Sequence, residues 1–249
     1  MKSIMLIHAN AQLPVVIHEG TSNQVLIICH GFRGSKEGGG RAVALAEEVV
    51  KLGLSVVRFD FTPLGPLTQQ IDELAAVAAF ARREIASRLV LLGRSMGGSA
   101  ALTYAAAQPE GISGLCLWAA PSNLEETFRL ALQENYQRLL AGKTVHVTDS
   151  YGRSSLTPAF IQDFADYDLL QAARSLKGIP VLVLHGTQDE TVPFAQAETL
   201  YQQLVGRKEL VAVPGGDHQL HAFYRETTAA ILKWIKSLQS SILEKRPKR

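Results

Sequence analysis

Hydrophobic residues along this chain fall into short unbroken runs separated by longer stretches in which apolar positions recur at helical spacing. The runs at 4–7, 14–17, 25–29, 55–59, 89–92, 115–119, 181–184 and 209–213 are too short for helices, and their Val, Ile and Leu content predicts buried strands. Helical periodicity predicts helices at 41–52, 70–86, 99–107, 195–205 and 223–238, the first of them stopped by Gly53. Strands alternating with helices predict an α/β fold with a mostly parallel eight-stranded sheet and helices on both faces. No internal repeat interrupts the pattern.

The alternation lapses between residues 122 and 175. This stretch is rich in aromatics, among them Phe128, Tyr136, Tyr151, Phe160, Phe164 and Tyr167, and it contains no strand of the main sheet. A connection this long inside a compact domain usually serves a function. It reads as a small cap inserted into a single domain spanning residues 1–249, with helices around 124–140 and 158–164 and a hairpin near 143–147. Phe128, Phe160, Phe164 and Tyr167 are candidates for lining an acyl or alcohol pocket, although aromatics at helical spacing serve equally as core.

Composition removes several function classes. With 249 residues the chain can bury a large core, and 47% hydrophobic against 19% charged residues excludes a disordered chain. A formal net charge of +2, with no basic face interleaved with aromatics, supplies no case for nucleic acid. The charged tail at 244–249 reads as a solvated end. The N-terminal apolar run is broken at His8, too early for a signal-peptide core, and no apolar segment approaches a membrane-spanning length, so a cytoplasmic protein without membrane insertion is expected. Cys29 and Cys116 lie in predicted strands as small core residues and suggest neither a disulfide framework nor a metal site.

The chemistry concentrates at Gly93-Arg94-Ser95-Met96-Gly97, which joins a predicted strand to a predicted helix. Glycines flanking a serine at such a turn let strand and helix approach closely while the hydroxyl stands clear at the apex. A serine hydroxyl is a weak nucleophile, so it needs a base and a group to orient that base. Asp189 follows the predicted strand 181–184, and His218 follows the next one, 209–213. Both belong to loops at the carboxyl edge of an open α/β sheet, where ligands gather.

The order Ser, Asp, His resembles that of the α/β-hydrolases. The likeness runs through His30-Gly31-Phe32, the elbow Gly93 to Gly97, His185-Gly186-x-x-Asp189 and Gly216-Asp217-His218. With Arg58-Phe59-Asp60 added, the chain is most similar to small bacterial cinnamoyl or feruloyl esterases and monoacylglycerol lipase-like esterases. That resemblance implies Ser95 as nucleophile, His218 as general base and acid, and Asp189 as the orienting acid. It also implies an oxyanion hole from the backbone N–H groups of Phe32 and Met96, a small-molecule ester as substrate, and no cofactor or metal. Two departures stand out: Phe61-Thr62-Pro63-Leu64-Gly65-Pro66 replaces a Gly-x-Gly turn, and Arg94 occupies the elbow.

Other residues compete for these roles. His30 reads as a brace for the oxyanion turn and His185 as a packed, hydrogen-bonded histidine. His221 lies three residues past His218, too few ligands for a metal. Asp60 is the rival acid, and Asp217 reads as a turn-fixing Asx residue. Arg94 suits either a substrate anion or a bridge within the protein. A thioesterase, an amidase or aminopeptidase-like hydrolase and an acyltransferase would use the same triad, whereas a non-catalytic binding protein would be expected to have lost part of it. The oligomeric state, monomer or homodimer, is open.

Overall fold

The computed structural model describes residues 1–149 and 152–244; Tyr151 and the tail residues 245–249 lie outside the described residues. Strands β1 (Lys2–His8), β2 (Ala11–His18) and β3 (Gln24–Cys29) precede helix α1 (Arg41–Val50). Then come β4 (Ser55–Phe59), α2 (Leu67–Glu84), β5 (Arg88–Arg94), α3 (Met96–Ala107) and β6 (Ile112–Trp118). The insertion follows, with α4 (Leu124–Leu132), α5 (Glu134–Leu140), the hairpin β7 (Val145–Asp149) and β8 (Gly152–Leu156), α6 (Pro158–Gln162) and α7 (Leu169–Ser175). The chain returns to the sheet with β9 (Val181–Gly186), α8 (Phe194–Gln203), β10 (Lys208–Val213) and α9 (Tyr224–Glu244).

Eight strands form one sheet in the order β1-β2-β4-β3-β5-β6-β9-β10. The pairings from β4 to β10 are parallel, and only β1–β2 and β2–β4 run antiparallel. β3 is buried along its whole length because both faces are covered. Val25, Ile27 and Cys29 face one core, shared with α2, α3 and the insertion. Leu26 and Ile28 face the other, shared with Leu45 and Val49 of α1 and Ile231 and Trp234 of α9. Among the described residues no helix is long and apolar enough to cross a membrane.

All eight strands predicted from the apolar runs are present, with shifted ends. β6 stops at Trp118 because Ala119 turns to φ 47°. α2 starts at Leu67, directly after Pro66, and α3 starts at Met96, ahead of the expected residue 99. Glycine and proline mislead at these starts: low intrinsic propensity at Gly97 and Gly98 is overridden by packing. The predicted helix 124–140 is two helices, broken at Gln133 with φ 50°. α7 has no counterpart among the predicted elements.

Register brings the strand ends level. Cys29 pairs with Gly93, Arg94 with Trp118, Trp118 with Leu184, and Gly186 with Val213. The loops leaving these strands therefore share one rim. At its centre α3 lies hard against β3 and β5: a Cβ on Gly97 would overlap the His30 carbonyl, and one on Gly93 would overlap the Gly97 carbonyl. Since these obstacles are backbone, no side chain can swing aside. Gly97→Ala is expected to lower the unfolding free energy by more than about 2 kcal/mol in a urea titration. A solvent-facing control such as Gly142→Ala has open space for its Cβ and bears only the cost of its φ of 77°.

Candidate active site

Ser95 occupies the turn between β5 and α3 with φ 51° and ψ −127°. Such a conformation costs a non-glycine residue about 1–3 kcal/mol and persists only where the surroundings enforce it. Here the Ser95 N–H donates to the Trp118 carbonyl at 2.9 Å, and Gly98 N–H turns back to the Ser95 carbonyl at 2.7 Å. The Met96 N–H at the start of α3 takes no backbone acceptor among the described residues, as helix geometry requires of the first turn.

The turn 30–34 abuts this elbow, since a Cβ on Gly31 would stand 2.9 Å from the Ser95 Cβ. His30 is the brace expected from its position. The Phe61 N–H donates to His30 Nε2 at 3.0 Å, which leaves the proton on Nδ1, and Nδ1 donates to the Gly31 carbonyl at 2.8 Å. Burial favours the neutral His30 ring and lowers its pKa, outweighing the hydrogen bond to the Gly31 carbonyl, which raises it. Gly34 N–H adds a second bond to the Gly31 carbonyl at 2.9 Å. Because a trans peptide holds its C=O and N–H antiparallel, pinning the Gly31 oxygen fixes the direction of the Phe32 N–H.

Asp189 and His218 come together on the rim. His218 Nδ1 donates to Asp189 Oδ2 at 2.8 Å, so the neutral imidazole carries its lone pair on Nε2. Asp189 Oδ1 accepts the backbone N–H groups of Thr191 at 2.9 Å and Val192 at 2.8 Å. His185, fully buried, points Nε2 at the Val192 carbonyl at 2.8 Å and at Asp189 Oδ2 at 3.2 Å, the packed and hydrogen-bonded state expected of it. Burial alone would raise the Asp189 pKa. The bonds from His185, His218 and Val192 outweigh it and hold the carboxyl well below the usual carboxylate range.

Ser95 Oγ and the His218 ring share no hydrogen bond among the described residues; the elbow reaches the histidine loop through Arg94. Its guanidinium donates to the His218 carbonyl at 3.0 Å and to Gln219 Oε1 at 2.9 Å. Arg94 thus spans the protein, one of the two uses its position allowed. Asp60 is committed elsewhere, accepting Lys36 N–H at 2.6 Å and Lys36 Nζ at 2.8 Å. Asp217 fixes its own turn by accepting Leu220 N–H at 2.6 Å.

The four aromatics named as pocket candidates divide. Phe128 and Phe160 are buried, and both rings pack on Phe32, with centroids 5.1 and 5.3 Å away. Phe164 stacks on both of them and, with Tyr167, lines a cavity of about 710 Å³ between the insertion and the start of α8. A second cavity, about 410 Å³, lies beside the 30–34 turn and is lined by Phe32, Phe61, Thr62, Leu64 and Gln70. The 61–66 segment, where the chain departs from the resembled esterases, therefore forms one wall of it.

A model of the prolyl oligopeptidase family matches residues 68–241. Among curated relatives, the uncharacterized protein YfhR of Salmonella typhimurium is 29% identical over 161 residues, 62% of this chain and 49% of that protein. The chain thus spans about half the length of that relative. The mitochondrial palmitoyl-protein thioesterase ABHD10 of Rattus norvegicus is 26% identical over 80% of this chain and 70% of its own. In fold, the chain superposes on ferulic acid-bound Est1E of Butyrivibrio proteoclasticus with a TM-score of 0.84 at 20% identity, covering 95% of this chain and 99% of that one.

The depressed Asp189 pKa carries a pH signature. Its contribution to stability is fully present above the unfolded-state value of about 4 and is lost as pH falls toward the lower folded value. In urea titrations the stability gap between the parent protein and Asp189→Asn is expected to be widest above pH about 5 and to shrink steadily below pH about 4. A gap independent of pH would contradict the ionised, hydrogen-bonded carboxylate.

Proposed function

The chain belongs to the prolyl oligopeptidase family, and on that footing we propose that it is a serine hydrolase cleaving carboxylic esters through an acyl-enzyme on Ser95. The observation that carries this reading is the Asp189–His218 hydrogen bond at 2.8 Å, tied by Arg94 to the strained turn that presents Ser95. His218 Nε2 takes the proton from Ser95 Oγ as the oxygen attacks the ester carbonyl. The two partners need not be bonded beforehand, because such contacts tighten when substrate arrives. Asp189 keeps the imidazole in the productive tautomer and stabilises its charged form.

The N–H groups of Phe32 and Met96 receive the oxyanion, each donor lowering the barrier by about 3 kcal/mol. His218 then returns its proton to the leaving alcohol, and water repeats the cycle to release the acid. The substrate enters beside Phe32, in the cleft walled by residues 61–64. The insertion acts as a cap, its Phe128 and Phe160 backing the oxyanion turn and its Phe164 and Tyr167 facing the larger cavity. An aryl or alkyl ester fits this reading; the similar Est1E holds ferulic acid, an acid of the kind that cleavage of an aryl-acyl ester releases. A thioester is the second reading, favoured by the match to a palmitoyl-protein thioesterase over 80% of this chain.

Ser95→Ala should reduce hydrolysis of p-nitrophenyl acetate by more than about a thousandfold while leaving the urea midpoint close to that of the parent. A fluorophosphonate probe should label the parent protein at Ser95 alone. Undiminished turnover in the variant, or labelling elsewhere, would reject the nucleophile. Asp189→Asn should slow turnover by about a thousandfold or more, and Asp60→Asn by less than about tenfold. The opposite ranking would move the acid to Asp60.

A further inference from the structure

Behind the elbow, on the α1 side of the sheet, lies a cavity of about 200 Å³ that does not reach Ser95. Its floor is apolar, made by Ile28, Leu45, Leu92 and Trp118. Its charged lining is basic: Arg41, Arg94 and His221 line it, together with Lys36, whose ammonium is paired with Asp60 at 2.8 Å, and with the neutral Ser35 and Gln219; no aspartate or glutamate lines it among the described residues. Arg41 places its guanidinium on neutral oxygens, the Gly38 carbonyl at 3.3 Å and the Gln219 carbonyl at 2.5 Å. An apolar hollow of this size loses packing contacts unless something fills it, and an arginine bonded only to carbonyls can exchange one of them for a carboxylate at a gain.

We propose that this cavity binds a short-chain aliphatic monocarboxylate, its alkyl chain on the apolar floor and its carboxylate at Arg41. Two features make the occupant an anionic amphiphile: the basic lining without acidic side chains, and a floor with room for a chain of a few carbons. The site also touches the catalytic loops. Gln219, beside His218, is gripped by Arg41 through its carbonyl and by Arg94 through its side chain. A carboxylate that draws Arg41 away loosens the His218 loop without entering the substrate cleft. Acids of this class are what ester cleavage releases, so the regulatory role rests on the proposed function, whereas binding itself does not.

The test uses the two indole N–H signals of the ¹⁵N-labelled full chain, since Trp118 lines the cavity while Trp234 packs at Gly114, away from the rim. Sodium hexanoate should shift the Trp118 signal saturably and leave that of Trp234 in place. Hexan-1-ol should bind at least about tenfold more weakly, and Arg41→Gln should weaken hexanoate by a similar factor. Protein blocked at Ser95 with fluorophosphonate should respond to hexanoate as the free protein does. No saturable shift, equal response to hexanol, or loss of the response on blocking Ser95 would each overturn the site. In steady-state assays hexanoate should lower kcat for p-nitrophenyl acetate with KM unchanged; purely competitive inhibition would overturn the regulatory role. Absence of any esterase activity would instead fail the proposed function and leave the Trp118 result to decide the site.

Discussion

Everything at the rim depends on a backbone contact: α3 approaches β3 so closely that Gly97 has no room for a Cβ against the His30 carbonyl. That approach brings the first N–H groups of α3 beside the 30–34 turn, and it leaves the Ser95 side chain next to Gly31. It also enforces the positive φ of Ser95, because the chain must reverse between a largely buried strand and a largely buried helix within a single residue. The cost of that strain is spread over a large core, in which β5 and α3 are almost wholly buried. A serine held this way cannot relax into the helix, and its hydroxyl stays at the edge where the loops of β9 and β10 arrive.

The second requirement is electrostatic. A carboxylate with no solvent exposure is unfavourable unless hydrogen bonds replace its lost hydration. Asp189 meets that condition with two backbone N–H groups on one oxygen and two histidines on the other. The neighbouring histidine, His30, is held neutral by a fixed pair of partners and orients a peptide plane. Fully buried His185 shares the acid with His218, and half-buried His30 shapes the turn beside Ser95.

Much of this was legible in the chain because the informative signals are local. The apolar runs that became β3, β5 and β9 could be read as buried strands, and the Gly-x-Ser-x-Gly turn was readable from the apolar run before it and the small residues after it. Asp189 and His218 could be paired because each follows such a run. What escaped was set by distance in sequence: the Arg94 bond to His218 joins residues 124 apart, and the Arg41 bond to Gln219 joins residues 178 apart, with no periodicity to announce either. The break at Gln133 depends on a positive φ in a residue with no special preference for it. Phe128 and Phe160 could serve as pocket or core by pattern alone, and only their packing on Phe32 shows them buried against the 30–34 turn.

The measurement that bears most directly on the central claim is the pre-steady-state time course of p-nitrophenyl acetate hydrolysis, read together with the intact mass of acid-quenched protein. An acyl-enzyme on Ser95 predicts a burst of p-nitrophenolate approaching the enzyme concentration, with a mass increase of one acetyl group located to the peptide carrying Ser95. Because the activated p-nitrophenolate leaving group makes acylation faster than deacylation, linear release from the first turnover with unmodified protein throughout, at substrate concentrations that saturate a measurable kcat, would contradict the acyl-enzyme. An acetyl group accumulating on any other residue would contradict the assignment of Ser95 itself.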